Sequence, residues 1–454
     1  MKNYFNIGKA ALILAVSFSL TQTACRKEED ASIGTANTNQ NDGDKVYSPG
    51  TFDASVVMPW YALLNKLIIE SPGHTPPIAA RDIGYTGIAL FEATTANNGG
   101  HRSMAGQLNG LTTLPPRPCN SLVPPISANA ALARIIKQLF ANANAANLAR
   151  IDSTELALDA LLSLGYSASD LTNSRNFGHD IANAIFTWSS TDGGFEAYLH
   201  VFPASYIVPL GPGLWIPTPP AFSAPMLPYW GSNRTFIAAD ASPLIDPPAP
   251  TPFSTTPGSN MHNAALQVYN TVNNLTQAQK DIATYWADGG GSFTPPGHLI
   301  SITAQMIRNK NMNLREASIV LAQVGIGLND AGIVCWRAKY NNNLMRPISY
   351  IRQNIDAAWS SFIGTPPFPS YTSGHASFSG TTAAILTRGF GAIAFTDSTK
   401  VPYGFTAKSF TNFTTAAQEA ATSRLYGGIH YQFDNDNGYN CGVAIALNVK
   451  NLHY

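Results

Sequence analysis

Three short stretches in the last quarter of the chain carry residues able to work together on one anion. "KYNNNLMRP" separates Lys339 from Arg346 by six residues and places Pro347 directly after the arginine. "YTSGHASFSG" sets Ser373, Gly374 and His375 ahead of a run of small and apolar residues that reads as a helix ending at glycine. These three residues therefore fall at a helix N-terminus, where backbone N–H groups lack partners inside the helix and the dipole is positive. Such an end binds anions readily. "SRLYGGIHYQFD" adds Arg424, a Gly427-Gly428 turn, His430 and Asp434. Two guanidinium forks and an ammonium suit a tetrahedral oxyanion. The Ser373 hydroxyl and the Gly374 N–H are neutral donors for the same guest. Two histidines then supply one nucleophile or ligand and one acid or base. Taken singly, each piece is ordinary: a Lys/Arg pair is commonly solvated, Ser-Gly-His commonly caps a helix, and an isolated Arg or His commonly lies on the surface or in the core. Their combination on expected helix ends carries the information.

The elements that must position these groups read as helices. "VVMPWYALLNKLIIES", "PPIAARDIGYTGIALFEATTAN", "ISANAALARIIKQLFANA" and "STELALDALLSLG" have apolar residues at helical spacing or helix-type starts and stops. So do "NMHNAALQVYNTVNN", "LISITAQMIRNK" and the long "LREASIVLAQVGIGLNDAGIVCWRAKYN". Residues 190–258 are rich in Pro, Gly and aromatics and read as a long ordered loop, because the aromatics call for burial. Alternating patterns are scarce. The expectation is one all-α domain over residues 51–454, a helical bundle with long Pro/Gly-rich loops, its anion-site motifs within 336–434.

Composition narrows the function. Hydrophobic residues make up 45% and charged residues 12%, and 27 basic residues balance 27 acidic ones. No global basic surplus points to nucleic acid, so any anion site is a local constellation. The first 24 residues read as a secretory signal peptide: Lys2 and Lys9, an apolar stretch, then small and polar residues. Cys25 after Ala24 resembles a bacterial lipoprotein acylation site, which would anchor the chain to a membrane. Residues 25–50 then read as a tether, and the expected location is the periplasm or cell surface of a Gram-negative bacterium. Cys119, Cys335 and Cys441 read as free buried thiols or as one disulfide with a thiol left over, and no CxxC spacing suggests zinc.

The three motifs resemble the signature shared by type-2 phosphatidic acid phosphatases, related acid phosphatases and vanadium-dependent haloperoxidases. That signature is Lys-x6-Arg-Pro, Pro-Ser-Gly-His and Ser-Arg-x5-His-x3-Asp. Thr372 departs from it, standing where the superfamily usually has proline. The flanks resemble the secreted bacterial haloperoxidases. Trp336 and Phe368 match an aromatic pair that borders the site there. Asp288, in "YWADGGGSFTPPGHL", matches a carboxylate that pairs with the arginine at Arg424, and "ARDIGYTGIALFEA" is similar to the N-terminal half of those enzymes.

The resemblance implies a helical bundle that binds one vanadate per chain, ligated by His430. Lys339, Arg346, Ser373, Gly374 and Arg424 would hold the oxygens, with His375 exchanging protons and Asp434 orienting His430. The implied activity is oxidation of halide, iodide ahead of bromide, by hydrogen peroxide to hypohalous acid, which then meets small organic acceptors. The alternative it implies is a secreted phosphatase with His430 as nucleophile and His375 as acid. A surface lipoprotein with a vestigial cage is a third reading, which the full donor set disfavours. His298 reads as a capped-loop histidine, not a ligand. His101, His179, His200, His262 and His453 lie in no motif.

Overall fold

Proline and short polar residues set where the helices begin. The computed structural model describes residues 47–454 apart from 99, 119 and 120, and all of these fall within one compact unit. The first five helices are α1 (Val57–Glu70), α2 (Pro76–Thr94), α3 (Pro124–Leu139), α4 (Ala145–Leu162) and α5 (Ala168–Ser189). After the loop come α6 (Asn260–Asn273), α7 (Gln277–Tyr285), α8 (Thr294–Asn309) and α9 (Leu314–Asn342). Then follow α10 (Pro347–Asn354), α11 (Gly374–Phe390), α12 (Phe413–Tyr426) and α13 (Gln432–Lys450). Proline occupies the first turn of α2, α3, α8 and α10, where its missing N–H costs nothing. Asn313 and Glu316 cap α9 reciprocally, each side chain accepting the other's backbone N–H. The all-α expectation holds. The described residues add one small antiparallel hairpin, β1 (Phe395–Asp397) with β2 (Lys408–Phe410), in the register Phe395 opposite Phe410.

The spine is α9. It is apolar and long enough to cross a membrane by length and composition, yet most of it is buried inside the bundle. It packs on α2, α11, α13 and α8. Leu321, Val324, Ile326, Leu328 and Ala331 have no exposed surface. At the site end of the bundle a second, smaller core forms from Tyr350, Tyr371 and Tyr431 with Met261 and Trp359.

The loop over residues 190–259 is ordered by burial, as its composition requires. Trp215, Trp230 and Phe236 are buried, and the Phe236 and Ile237 N–H groups donate to the buried Asp330 carboxylate of α9. Phe222 is an exception, more than half exposed. The folded region starts before residue 51: Arg315 donates to the Ser48 hydroxyl at 2.5 Å, and the Leu314 N–H to the Phe52 carbonyl at 2.8 Å. The signal-peptide and Cys25 readings, most of the tether and Cys119 lie outside the described residues. Cys335 and Cys441 are buried free thiols.

Candidate oxyanion site

Each motif residue sits at a helix end. Lys339 lies in the last turn of α9, which stops where Asn343 turns left-handed (φ 45°). Arg346 is the residue before α10, and Pro347 opens that helix. Ser373 caps α11, its hydroxyl accepting from the Ala376 N–H at 3.4 Å. Arg424 lies in the last turn of α12. Gly428, at φ 74°, then reverses the chain where a side chain would run into Ser361 and Val272. His430 follows, and Asp434 falls in the first turn of α13. α11 and α13 approach closely because Gly438 and Gly442 face α11. A Cβ on Gly442 would stand 2.2 Å from the Ser377 carbonyl oxygen. That seam brings the Ser373–His375 helix start against Asp434, whose carbonyl accepts the Ser373 N–H at 3.0 Å.

The hydrogen bonds assign the histidines. Nδ1 of His430 lies 2.9 Å from Asp434 Oδ2, which also accepts from the Ser370 hydroxyl (2.5 Å) and the Tyr431 N–H (3.2 Å). Nδ1 therefore carries hydrogen. Nε2 faces an Arg346 Nη1 donor at 3.1 Å and so presents a lone pair. His375 Nε2 likewise accepts from Arg424 Nη1 at 2.8 Å. Burial and then the adjacent guanidinium groups hold both imidazoles well below the usual histidine range, so both are neutral.

The cations are short of negative charge. Arg346 is anchored by the Phe368 and Ile429 carbonyls at 2.8 Å each, and Arg424 by the Trp286 carbonyl at 2.5 Å. Nη2 of Arg346 and both Nε and Nη2 of Arg424 are buried with no partner among the described residues. Burial pushes Arg346 down to about 9, Arg424 to about 10 and Lys339 to about 7. Burial also raises Asp434 to about 6. Buried donors without acceptors are costly, and an anion with several oxygens is what removes that cost.

The chain brings the predicted residues together in two layers. A cavity of about 640 Å³ is lined by Gly374, His375, Arg424 and His430, with Trp336 and Phe368 on one wall. The two aromatic rings sit 5.0 Å apart. Arg346, Ser373, Lys339 and Asp434 stand behind that lining. Lys339 directs its ammonium at the carbonyls of Pro369, Ser370 and Thr372, so it reaches an anion only by releasing one of them. Asp288 lines the cavity but does not form the expected hydrogen bond with Arg424. The Trp286 carbonyl takes that donor, and the Asp288 oxygens go to His298 and Lys400. Its charge still acts on Arg424 and His375.

His298 is no loop cap: it lies inside α8, fully buried between two carboxylates. Sequence reading also missed Ser370, Asp397 and Lys400. Ser370 lies three residues before Ser373, and only the fold turns its hydroxyl onto Asp434. His74, in the turn before α2, lines the outer cavity with its ring nitrogens on Asp82 and Asn142.

An all-α bundle whose helix ends aim guanidinium groups, a capped N-terminus and an aligned neutral imidazole at one cavity is built to hold a tetrahedral oxyanion. Known proteins narrow this class. The model of the VCPO second helical-bundle domain matches residues 319–453. The solved structure described as the first bacterial vanadium-dependent iodoperoxidase is similar over 90% of this chain and 98% of its own, with TM-score 0.80 and 30% identity. Vanadium chloroperoxidase of Curvularia inaequalis is 25% identical over 260 residues, 47% of this chain; the match spans 42% of the fungal enzyme's length. An apo bacterial vanadium-dependent chloroperoxidase shares the fold, with TM-score 0.59 and 16% identity over 84% of this chain and 96% of its own. The chain belongs to the vanadium-dependent haloperoxidase family.

The residues present fit vanadate. Three unpartnered guanidinium nitrogens and the Gly374 helix start would donate N–H groups to the oxygens of a four-oxygen guest, and the His430 Nε2 lone pair would supply one nitrogen ligand.

Proposed function

We propose that this chain oxidises halide with hydrogen peroxide to hypohalous acid, iodide ahead of bromide, with vanadate held on Nε2 of His430. The observation that carries the reading is the set of unpartnered donors on Arg346 and Arg424 around the lone pair of His430. The likeness to a bacterial vanadium-dependent iodoperoxidase supports iodide. When bound, vanadate supplies a Lewis-acidic centre that polarises peroxide toward attack by halide.

The chain's own residues do the rest. Asp434 holds the Nδ1 proton and so keeps a lone pair on Nε2, which would coordinate once Arg346 Nη1 turns from it to a bound oxygen. Arg424 and Gly374, on the cavity lining, would hold oxygens, with Arg346, Ser373 and Lys339 behind them. Halide, peroxide and one proton give hypohalous acid and water. His375, neutral and on the cavity wall, would take up and return that proton at Nε2 once Arg424 Nη1 releases it. Trp336 and Phe368 form a dry wall for a polarisable anion. We place the enzyme outside the cytoplasm, on the strength of the N-terminal 24 residues and Cys25.

The test is triiodide formation from iodide and peroxide, with and without added orthovanadate, beside hydrolysis of p-nitrophenyl phosphate. Triiodide formation that depends on vanadate is expected. Phosphate ester hydrolysis inhibited by vanadate, without triiodide, would replace this reading with a His430 phosphatase.

A further inference from the structure

Behind the glycine-rich wall of the cavity, four buried ionisable groups form a closed set. His298 places Nδ1 2.8 Å from Asp288 Oδ2 and Nε2 2.9 Å from Asp397 Oδ2. Lys400 donates to the other Asp288 oxygen at 2.8 Å and to the Tyr285 carbonyl. Asp397 Oδ2 also accepts from the Tyr285 hydroxyl at 2.7 Å. Its Oδ1 accepts from the Thr399 N–H at 2.9 Å and the Thr399 hydroxyl at 2.7 Å.

Counting donors fixes the protonation. Every carboxylate oxygen here faces a donor, so neither acid needs a proton of its own. Both ring nitrogens face carboxylate oxygens, so both carry hydrogen. The ring is an imidazolium, and with Lys400 it balances the two carboxylates. Burial alone would push His298 down, but Asp288 and Asp397 outweigh it and hold the ring up at about 9. Aromatic rings flank the cation, Trp286 tilted over it at 4.8 Å and Phe293 in a T-shaped arrangement at 5.4 Å between ring centres.

This set is neutral and so demands no anion itself. Its influence lies in what it fixes. Asp288 lines both the main cavity and a neighbouring one of about 330 Å³. Trp286, two residues earlier, packs on the His298 ring and anchors Arg424 through its carbonyl. We infer that His298 is a positioning residue of the oxyanion site: clamped as an imidazolium between Asp288 and Asp397, it fixes segment 285–288, so that Asp288 presents a steady negative charge to His375 and Trp286 holds Arg424 in place. The inference rests on the reading that the cavity holds vanadate.

The experiment is calorimetric titration of orthovanadate into the full chain, wild type against His298→Gln, from about pH 7 to about pH 10. Loss of a group hydrogen-bonded to a metal ligand weakens binding about 10- to 100-fold; His298 acts one contact further out, through Trp286 and Asp288, so a loss at the lower end, about 10-fold, is expected near neutral pH. The sign of the pH dependence follows from the raised pKa. The imidazolium's contribution is complete below the ordinary histidine range and is lost as pH rises through about 9. The ratio of the two dissociation constants should therefore fall toward one above that pH.

The ratio cancels the titration of vanadate and of the cavity groups common to both proteins. The groups facing the ring are Asp288, Asp397, Lys400 and Tyr285, with Glu419 beyond on Trp286. A merely structural role would leave the ratio independent of pH. A ratio near one at neutral pH, or one that does not change with pH, overturns the inference. Should His298→Gln fail to fold, Asp397→Asn keeps the ring but removes the negative charge facing its second proton. That variant should lose vanadate affinity at a lower pH than wild type, and an unmoved profile overturns the inference. A wild type that binds no vanadate overturns the cofactor reading and this inference together, whereas full binding by the variants overturns the inference alone.

Discussion

Two hydrogen bonds decide what the His430 imidazole can do. The Asp434 contact fixes hydrogen on Nδ1, and the Arg346 contact shows that Nε2 is an acceptor. The cations around it are buried, Lys339 and Arg346 under the charge of Asp434 and Arg424 under that of Asp288, and that gives the anion-free protein a definite pH response. Lys339 gives up its proton near about 7 in the folded chain but near the ordinary lysine value, 10.5, when unfolded. The unfolded chain therefore binds more protons between those values, and stability rises with pH. Asp434, raised to about 6, acts in the opposite sense but has finished titrating by neutral pH. His298, raised to about 9, opposes Lys339 from the ordinary histidine value upward, because the folded chain then holds a proton that the unfolded chain has released. The Lys339 contribution is therefore read as the difference in urea midpoint between wild type and Lys339→Met, both anion-free: that difference should increase from about pH 7 to about pH 8.5, and saturating phosphate should flatten the rise by keeping Lys339 charged. A difference that falls over this range would show that Lys339 is not strained by burial. At this scale the sequence was informative for donors that recur at fixed spacing. It was silent on Ser370 and His298, whose partners lie 64 residues away for Ser370 and 99 for the farther partner of His298.

Helices deliver the cage through their ends, so the seam between α11 and α13 sets its dimensions. Gly442 and Gly438 let α13 approach the first turns of α11 until backbone meets backbone. Gly442→Val should cost about 1–3 kcal/mol by overpacking and also weaken vanadate binding, because His430 and Asp434 would shift away from Ser373 and Gly374. Urea unfolding and vanadate titration of the same variant check both, and normal values in both would show that the seam does not set the site. Helix positions were legible because the apolar spacing and the proline starts agree with one another. The β1–β2 hairpin was not, since strands of three residues are too short to show alternation. The exact partner of Arg424 was also hidden, because a main-chain carbonyl leaves no mark in the residue type.

Over the whole molecule, the residues that touch the cavity come from far-apart segments. Its outer wall is built by the α1–α2 turn, its glycine-rich wall by residues 288–292 and its floor by the C-terminal helix ends. The α1–α2 turn and Met226 thus wall the cavity that the later helix ends charge. The signature made the floor legible from sequence. The walls were legible only as a resemblance, since Pro- and Gly-rich loops carry no periodicity to fold by eye. The central claim is that these segments converge to grip one four-oxygen guest against His430. Calorimetric titration of orthovanadate into wild type and His430→Ala tests it most directly. The account predicts one vanadate per wild-type chain and no retained vanadate in a His430→Ala protein that is otherwise folded. Equal binding by the two proteins would contradict it.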